Sequence, residues 1–280
     1  MLKTKKYLWL WIGAGAMGLL LILLVVLALT LPRPAPEPET TQPPPATTLP
    51  PPSENVFSPM DFGYENGYLT CLTAKSVLGI DVSTHQKQID WQQVKAAGIE
   101  FVMIRIGYRG FDEGMLYEDE WAQRHYEGAK AAGLLVGGYF FSQAVTPQEA
   151  VEEANYAMSL IGHWQLDMPL VYDWEYISEE CRTAQVDARV LTDCTKAFCD
   201  TVEAAGYDAM VYFNPGQSRK QMYLSELTQY GFWLAMYSDQ MTYEYKVDMW
   251  QYTCQGVVPG IEGDVDINLF FPYESETPVS

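Results

Sequence analysis

The sequence predicts an α/β fold in which eight strands close into a barrel, with about five helices around it. Over most of the chain, short β-prone runs alternate with helical patterns, and this alternation favours a parallel sheet with right-handed crossovers. The last three strands have little helical sequence between them, so we expect an irregular TIM-like (β/α) barrel without its last helices. A doubly wound open sheet is the alternative, but no Gly-x-Gly-x-x-Gly signature follows the first strand.

Each of the first five strands is followed by a predicted helix. Gly98 and Gly133 are expected to end the first two helices, and Thr146 is expected to cap the third, with Pro147 at its first position. The predicted strands are 77–83, 101–108, 134–142, 168–176, 208–214, 231–238, 247–253 and 264–270. The predicted helices are 90–98, 118–133, 146–161, 184–206 and a short one after Pro215.

The N-terminal segment predicts a membrane anchor. Residues 7–31 are apolar and uncharged, which exceeds the ~20 residues that span a bilayer as a helix. Three lysines precede this run, so the positive-inside rule leaves residues 1–6 in the cytoplasm and places the rest outside the cell. Small residues around Ala28–Thr30 would allow cleavage, which would give a secreted form.

The remaining chain divides by composition. The Pro/Thr-rich stretch 32–53 favours an extended stalk, because it cannot build a core. It is followed by an N-terminal extension at 54–76, the barrel at 77–273 and a short tail at 274–280. Residues 54–280 hold 13 basic and 34 acidic side chains, a net charge near −21, which argues against nucleic acid as a partner.

Acidic residues recur where the predicted strands end. They are Asp81 in the first strand, Asp173 and Glu175 in the fourth, and Asp266 in the eighth. In barrels of this type the chemistry lies at the carboxyl ends of the strands, and the first and last strands are neighbours. Four acids in one bowl would be costly as structure, so we interpret them as a functional cluster with shifted pKa values.

The other residue types exclude several chemistries. The three histidines fall in unrelated segments with no His-Glu-x-x-His pair, and no Gly-x-Ser-x-Gly motif occurs. We therefore expect no metal and no cofactor, and paired carboxylates then fit glycosidic cleavage best. Aromatic residues near the strand ends could stack on sugar rings, although they could equally belong to the core: Tyr108, Tyr139, Tyr172, Trp174, Tyr212, Tyr237 and Trp250.

Five motifs in order resemble glycoside hydrolase family 25. They are "GIDVSTHQKQIDW" from Gly79, "KAAGIEFVMIRIGYRG" from Lys95, "YFFSQ" from Tyr139, "VYDWEY" from Val171, and "WQYTCQGVVPGIEGDVDINLF" from Trp250. The resemblance implies an irregular barrel and a muramidase that cleaves the β-1,4 bond from N-acetylmuramic acid to N-acetylglucosamine in peptidoglycan. Many relatives have a Glu-Gly pair directly after the second strand, where this sequence reads "GYRGFDEG" (Gly107–Gly114), and a His in the third strand, where it reads "YFFS".

The resemblance also implies roles for individual residues. Glu175 corresponds to the general acid and Asp173 to its partner carboxylate, while Asp81 and Asp266 match the remaining acidic positions. Gln251 and Asn268, in the closing motif, join the expected substrate contacts. Asp173 could orient the substrate's acetamido group as an internal nucleophile, or Asp81 or Asp266 could activate water in an inverting reaction.

The expected partners are peptidoglycan glycan strands and, through residues 7–31, the membrane. We expect a monomer with its catalytic domain outside the cell. Two rival functions remain: a non-catalytic glycan-binding module on the same barrel, and a glycosidase that acts on another N-acetylated glycan.

Overall fold

A computed structural model describes residues 49–272. The predicted anchor at 7–31 and most of the stalk lie outside these residues. Within 49–272 no helix has the length and apolar character needed to cross a membrane. The strands are β1 (Phe62–Glu65), β2 (Tyr68–Cys71), β3 (Val77–Val82), β4 (Phe101–Arg109), β5 (Leu116–Glu118), β6 (Leu135–Ser142), β7 (Leu170–Trp174), β8 (Ala209–Phe213), β9 (Gly231–Ala235), β10 (Met249–Gly256) and β11 (Val265–Phe270). The α-helices are α1 (Trp91–Ala96), α2 (Ala122–Ala131), α3 (Pro147–Leu160), α4 (Ala188–Ala204) and α5 (Pro215–Lys220), and short 3₁₀ turns occupy Pro59–Asp61, Arg182–Gln185 and Leu224–Glu226.

Eight strands form the closed barrel that the sequence predicts. The order around it is β3, β11, β10, β9, β8, β7, β6 and β4, and a parallel pairing of β3 with β4 closes the ring. The five helices join successive strands, and their ends follow the expected signals. Thr146 accepts a hydrogen bond from the Glu149 amide, and Gly98 has a φ of +97° just after α1.

One strand departs from the parallel sheet that the strand–helix alternation favours. β11 runs antiparallel to both of its neighbours, β10 and β3, whereas the other barrel pairings are parallel. The connection from β10 to β11 contains no helix, and a hairpin-type return reverses the strand direction. Because β11 is reversed, its first residues, not its last, lie at the same rim as the carboxyl ends of the other strands.

Three smaller differences concern the end of one strand and the presence of additional short strands. The strand predicted at 168–176 ends at Trp174, so Glu175 lies just beyond it. The N-terminal extension contains an antiparallel hairpin, β1 with β2, and β5 pairs with β4 outside the ring. These short strands were not predicted.

The inward-facing side chains change character from one end of the barrel to the other. At the lower end they form an apolar core whose members include Phe101, Met103, Val171, Met210 and Met249. A separate apolar layer packs between the outer face of the sheet and the helices. Further along the same strands, inward positions become polar: Met210 is followed two residues later by Tyr212, and Val171 by Asp173. The barrel therefore has a packed floor and a polar mouth.

Candidate active site

A pocket occupies the polar mouth of the barrel. All four predicted acids line it, together with Tyr139, Tyr212, Tyr237 and Gln251. Asp81 near the end of β3 is the direct register partner of Asp266 near the start of β11. The reversal of β11 is thus what brings Asp266 to this rim. The remaining lining residues are Val82, Ser83, His85, Gln86, Arg105, Phe141 and Trp233.

A network of side-chain hydrogen bonds holds Asp81. One of its carboxylate oxygens, Oδ2, accepts hydrogen bonds from Gln251 Nε2 at 2.9 Å and from Asn268 Nδ2 at 2.8 Å. The Gln251 Oε1 atom accepts from the hydroxyls of Tyr212 and Tyr237, at 3.0 Å and 3.2 Å. The aromatic residues of the pocket therefore fix the amide that in turn orients Asp81.

Asn268 is fixed in the same way from below. Its Oδ1 accepts a hydrogen bond of 2.8 Å from the indole Nε1 of Trp233. The side chain is fully buried, so each of its bonds forms in an environment that excludes competing water. Asp81 is therefore held by two chains of hydrogen bonds, one through the side-chain amide of Gln251 and one through that of Asn268.

The backbone that carries Glu175 is held by two glutamines. Gln143 Nε2 donates to the Glu175 carbonyl oxygen at 2.7 Å, and Gln217 Nε2 donates to the Trp174 carbonyl oxygen at 2.7 Å. Both glutamines are buried, and neither lies on β7. Because β7 ends at Trp174, these bonds replace the sheet ladder as the support for the following residue.

The acids of the pocket share an electrostatic environment that favours protonation. Burial, and then the charge of Asp266, raises the pKa of Glu175. Burial raises the pKa of Asp266 to about 6. Burial also raises the pKa of Asp173, with Glu175 and Asp81 adding like-charge repulsion. The cluster therefore holds protons at pH values at which isolated carboxyl groups have lost them.

Asp81 experiences the same two effects with an opposing contribution. Burial and then the charge of Asp266 raise the pKa of Asp81, while the hydrogen bonds from Asn268 and Gln251 favour its ionised form. Asp173 differs in its bonding, since its Oδ1 is buried without a hydrogen-bond partner among residues 49–272. The two aspartates are therefore not equivalent, and only Asp173 presents a buried acceptor that is unused.

The predicted substrate contacts divide between the two faces of the barrel wall. Tyr139, Tyr212, Tyr237 and Gln251 line the pocket, and Asn268 supports it from beneath. Tyr172, Trp174 and Trp250 point outward. Tyr172 packs against Phe198 of α4, Trp174 donates to the Ala144 carbonyl oxygen, and Trp250 contacts Phe62. Tyr108 stacks on Tyr117 outside the pocket lining.

This division follows from strand alternation. An inward Asp173 requires that residues 172 and 174 face the helices, and an inward Gln251 requires the same of Trp250. The sequence thus held the signal that excludes these three rings from the pocket.

Some pocket residues were not among the predicted contacts. Arg105 supplies the positive charge of the pocket, and its Nε also forms a 2.8 Å ion pair with Asp119. It lies two residues beyond the inward-facing Met103, so alternation could have located it. Trp233 lies on β9. His85 and Gln86 belong to the loop after β3, and strand alternation cannot predict which way loop side chains point. Within the described residues no group of His, Cys, Asp and Glu is arranged to hold a metal ion.

The pocket holds buried carboxylates flanked by aromatic and amide side chains at the mouth of an α/β barrel, an arrangement that fits glycosidic cleavage. The sequence pattern of glycosyl hydrolases family 25 matches residues 80–261. The chain belongs to this family, and it is a glycoside hydrolase.

Individual relatives are 25–28% identical to this chain over the aligned residues. The autolytic lysozyme of Clostridium acetobutylicum is 28% identical over 193 residues, which cover 69% of this chain and 55% of that protein. The structure of the modular autolysin LytC from Streptococcus pneumoniae superposes with a TM-score of 0.64 and 25% identity, over 75% of this chain and half of LytC. The bacterial lysozyme from Streptomyces coelicolor superposes with a TM-score of 0.55 and 26% identity, over 70% of this chain and 92% of that enzyme. LytC has also been solved in complex with a synthetic peptidoglycan ligand.

Proposed function

We propose that this protein cleaves peptidoglycan at the β-1,4 bond between N-acetylmuramic acid and N-acetylglucosamine. The observation that carries the proposal is the convergence of Asp81, Asp173, Glu175 and Asp266 in one pocket. Carboxyl groups at a glycosidic bond supply both the proton for the leaving oxygen and the stabilisation of the oxocarbenium-like transition state. The names of the relatives, an autolytic lysozyme and a lysozyme among them, support peptidoglycan as the substrate class.

Glu175 is proposed as the general acid. It is part-buried in the pocket, and its raised pKa favours the protonated form that a general acid needs. That proton passes to the glycosidic oxygen as the bond to the anomeric carbon breaks. The hydrogen bonds from Gln143 and Gln217 support the backbone from which the carboxyl group projects.

Asp173 is proposed to orient the substrate's 2-acetamido group. Asp173 lines the pocket, so its carboxyl group can accept a hydrogen bond from the acetamido N–H. The acetamido carbonyl oxygen then faces the anomeric carbon and attacks it, which gives a cyclic intermediate that water opens. Arg105 in the same pocket opposes the rise of the Asp173 pKa that burial, Glu175 and Asp81 cause.

The test is the product formed from purified peptidoglycan. We expect new reducing ends on muramic acid, with the anomeric configuration retained in the first product, as substrate assistance requires. Inverted product would instead indicate that Asp81 or Asp266 activates water. Binding without cleavage would indicate a glycan-binding module, and cleavage of chitin-type chains alone would indicate a different N-acetylated glycan.

We also propose that residues 7–31 anchor the enzyme with its barrel outside the cell. The support is the length of the uncharged run and the three lysines before it. The protein should remain with membranes after a high-salt wash, and protease added to intact spheroplasts should remove the barrel. Recovery of the intact chain in the culture fluid, without residues 1–31, would indicate the secreted form.

A further inference from the structure

A second pocket adjoins the catalytic pocket across one loop. Residues 83–90 connect β3 to α1, and within this loop His85 and Gln86 line the catalytic pocket. The next two residues, Lys87 and Gln88, line the second pocket, which we call the Trp121 pocket. Its other lining residues are Ile89, Trp91, Trp121, Arg124, His125, Glu127 and Gly128. The two pockets are therefore lined by consecutive residues of one loop, Gln86 and Lys87.

Three rings form the wall of the Trp121 pocket. His125 lies between the two tryptophans, edge-on to Trp91 and stacked on Trp121, with centroid separations of 5.8 Å in both cases. Its Nε2 is hydrogen bonded to the Ser83 carbonyl oxygen at 3.2 Å, which ties the wall to the same loop. Burial lowers the pKa of His125, so the ring is neutral at pH 7 and the wall is uncharged.

The charge of the Trp121 pocket is opposite to that of the domain around it. Lys87 and Arg124 are exposed, and neither forms an ion pair with a carboxylate within residues 49–272. The Arg124 guanidinium lies 4.8 Å from the centre of the Trp121 ring, a contact that orients its charge without neutralising it. Glu127 is the single carboxylate of the pocket, and it accepts a hydrogen bond from Gln123 Nε2. Two cations against one anion are unusual in a domain with 34 acids and 13 bases.

We propose that the Trp121 pocket binds the carboxylate-bearing stem peptide of the glycan strand whose sugar occupies the catalytic pocket. The inference rests on the proposed function, because the peptide of peptidoglycan hangs from the muramic acid unit itself. An extended peptide of three residues reaches about 10 Å, and the two pockets are lined by neighbouring residues of one loop. Its carboxylates meet Lys87 and Arg124, and its apolar surface packs on the exposed part of Trp121.

The first test compares two substrates with the full-length chain. One is intact peptidoglycan, and the other is the same material after an amidase has removed its peptides. We expect the wild type to have a kcat/KM about tenfold higher on the peptide-bearing strands, a difference equivalent to about 1.4 kcal/mol. The double variant Lys87→Gln/Arg124→Gln should lose most of this preference. The matched double variant Lys75→Gln/Lys95→Gln, which removes two exposed cations elsewhere on the domain, should keep it.

The second test measures binding of a free tripeptide, Ala–γ-Glu–Lys, by calorimetry. We expect binding that weakens with added salt, as contacts between exposed charges do, and that is lost in Lys87→Gln/Arg124→Gln. Glu127→Gln should change binding in the opposite direction, because it removes the one carboxylate that repels the ligand. Two results would overturn the inference. One is an equal substrate preference in the wild type and in Lys87→Gln/Arg124→Gln. The other is tripeptide binding that is unchanged by added salt, by Lys87→Gln/Arg124→Gln and by Glu127→Gln. Failure to cleave either glycan would contradict the proposed function, and the tripeptide titration would then decide the inference by itself.

Discussion

Replacing Gln143 by leucine tests whether side chains outside β7 hold Glu175 in its working position. Gln143 is fully buried, and its Nε2 donates to the Glu175 carbonyl oxygen at 2.7 Å and to the Ser142 carbonyl oxygen at 2.9 Å. Its Oε1 accepts a hydrogen bond of 3.2 Å from the Thr183 hydroxyl. Leucine fills a similar volume but can make none of these bonds, so the substitution removes hydrogen bonding with little change in packing.

The expected effect has a stability part and a catalytic part. A buried polar group left without its partner costs about 1–3 kcal/mol, and some of the three freed groups will reach water, so we expect a loss of about 2–4 kcal/mol in the free energy of unfolding. Freed from its bond to Gln143, the Glu175 backbone is expected to shift, and a misplacement of about 1 Å at a reacting group costs roughly 10²-fold in rate. KM should change much less, because the Gln143 side chain forms no hydrogen bond to the tyrosines that line the pocket.

Urea unfolding and steady-state kinetics on soluble glycan fragments measure the two parts separately. Gln165→Leu is the matched control, because Gln165 is exposed and its side chain makes no hydrogen bond within the described residues. Gln217→Leu, which removes the bond to the Trp174 carbonyl oxygen, should lower kcat in the same direction. An unchanged kcat in Gln143→Leu, measured on protein shown to be folded, would refute the idea that this residue positions the acid.

Two further predictions concern acid–base behaviour and packing. Glu175 must be protonated to act as the acid, so activity falls as pH rises through its pKa. The Asp266→Asn substitution removes a charge that raises this pKa. The alkaline limb of the kcat/KM profile should therefore move to lower pH. An unmoved limb, or one that moves upward, would contradict this account. Gly79→Ala should cost about 1–3 kcal/mol in unfolding free energy, because the new methyl group would lie 2.2 Å from the Phe101 ring, as thermal or urea unfolding can measure. Gly162→Ala, where the nearest atom is 3.6 Å away, should change stability little, and equal losses in the two variants would remove the packing explanation.

The parts of the fold that local sequence signals could predict are the strands, the helices and their caps. The run Val77–Val82 and the cap at Thr146 are determined by residues within a few positions, and both lie where expected. The reversal of β11 is different, because strand direction depends on the pairing of distant segments and on the short return from β10. A parallel barrel was a reasonable extrapolation from the first five strands, but the last strand does not follow it.

In the site, too, some features follow from local sequence and others depend on contacts between distant segments. Asp81, Asp173 and Glu175 could be grouped from their positions near the carboxyl ends of strands, whereas Asp266 joins them in the pocket only because β11 is reversed. To predict which aromatic rings contact the substrate, one must know on which face of the barrel wall each ring lies. Trp174 and Trp250 lie on the outer face. The support given by Gln143 and Gln217 could not be predicted, since it joins the residue after β6, helix α5 and the end of β7 through side-chain contacts that no spacing rule encodes.

The most direct test of the central claim is the turnover of peptidoglycan by Glu175→Gln beside Glu179→Gln. Glu179 is an exposed glutamate in the same loop, so the pair removes one carboxylate each from inside and outside the pocket. Loss of a general acid costs about 10²–10⁴-fold, and we expect a loss of this size in kcat for Glu175→Gln, with glycan binding retained. Glu179→Gln should retain full turnover. Full activity in Glu175→Gln, or an equal loss in both variants, would contradict the assignment of Glu175 as the catalytic acid.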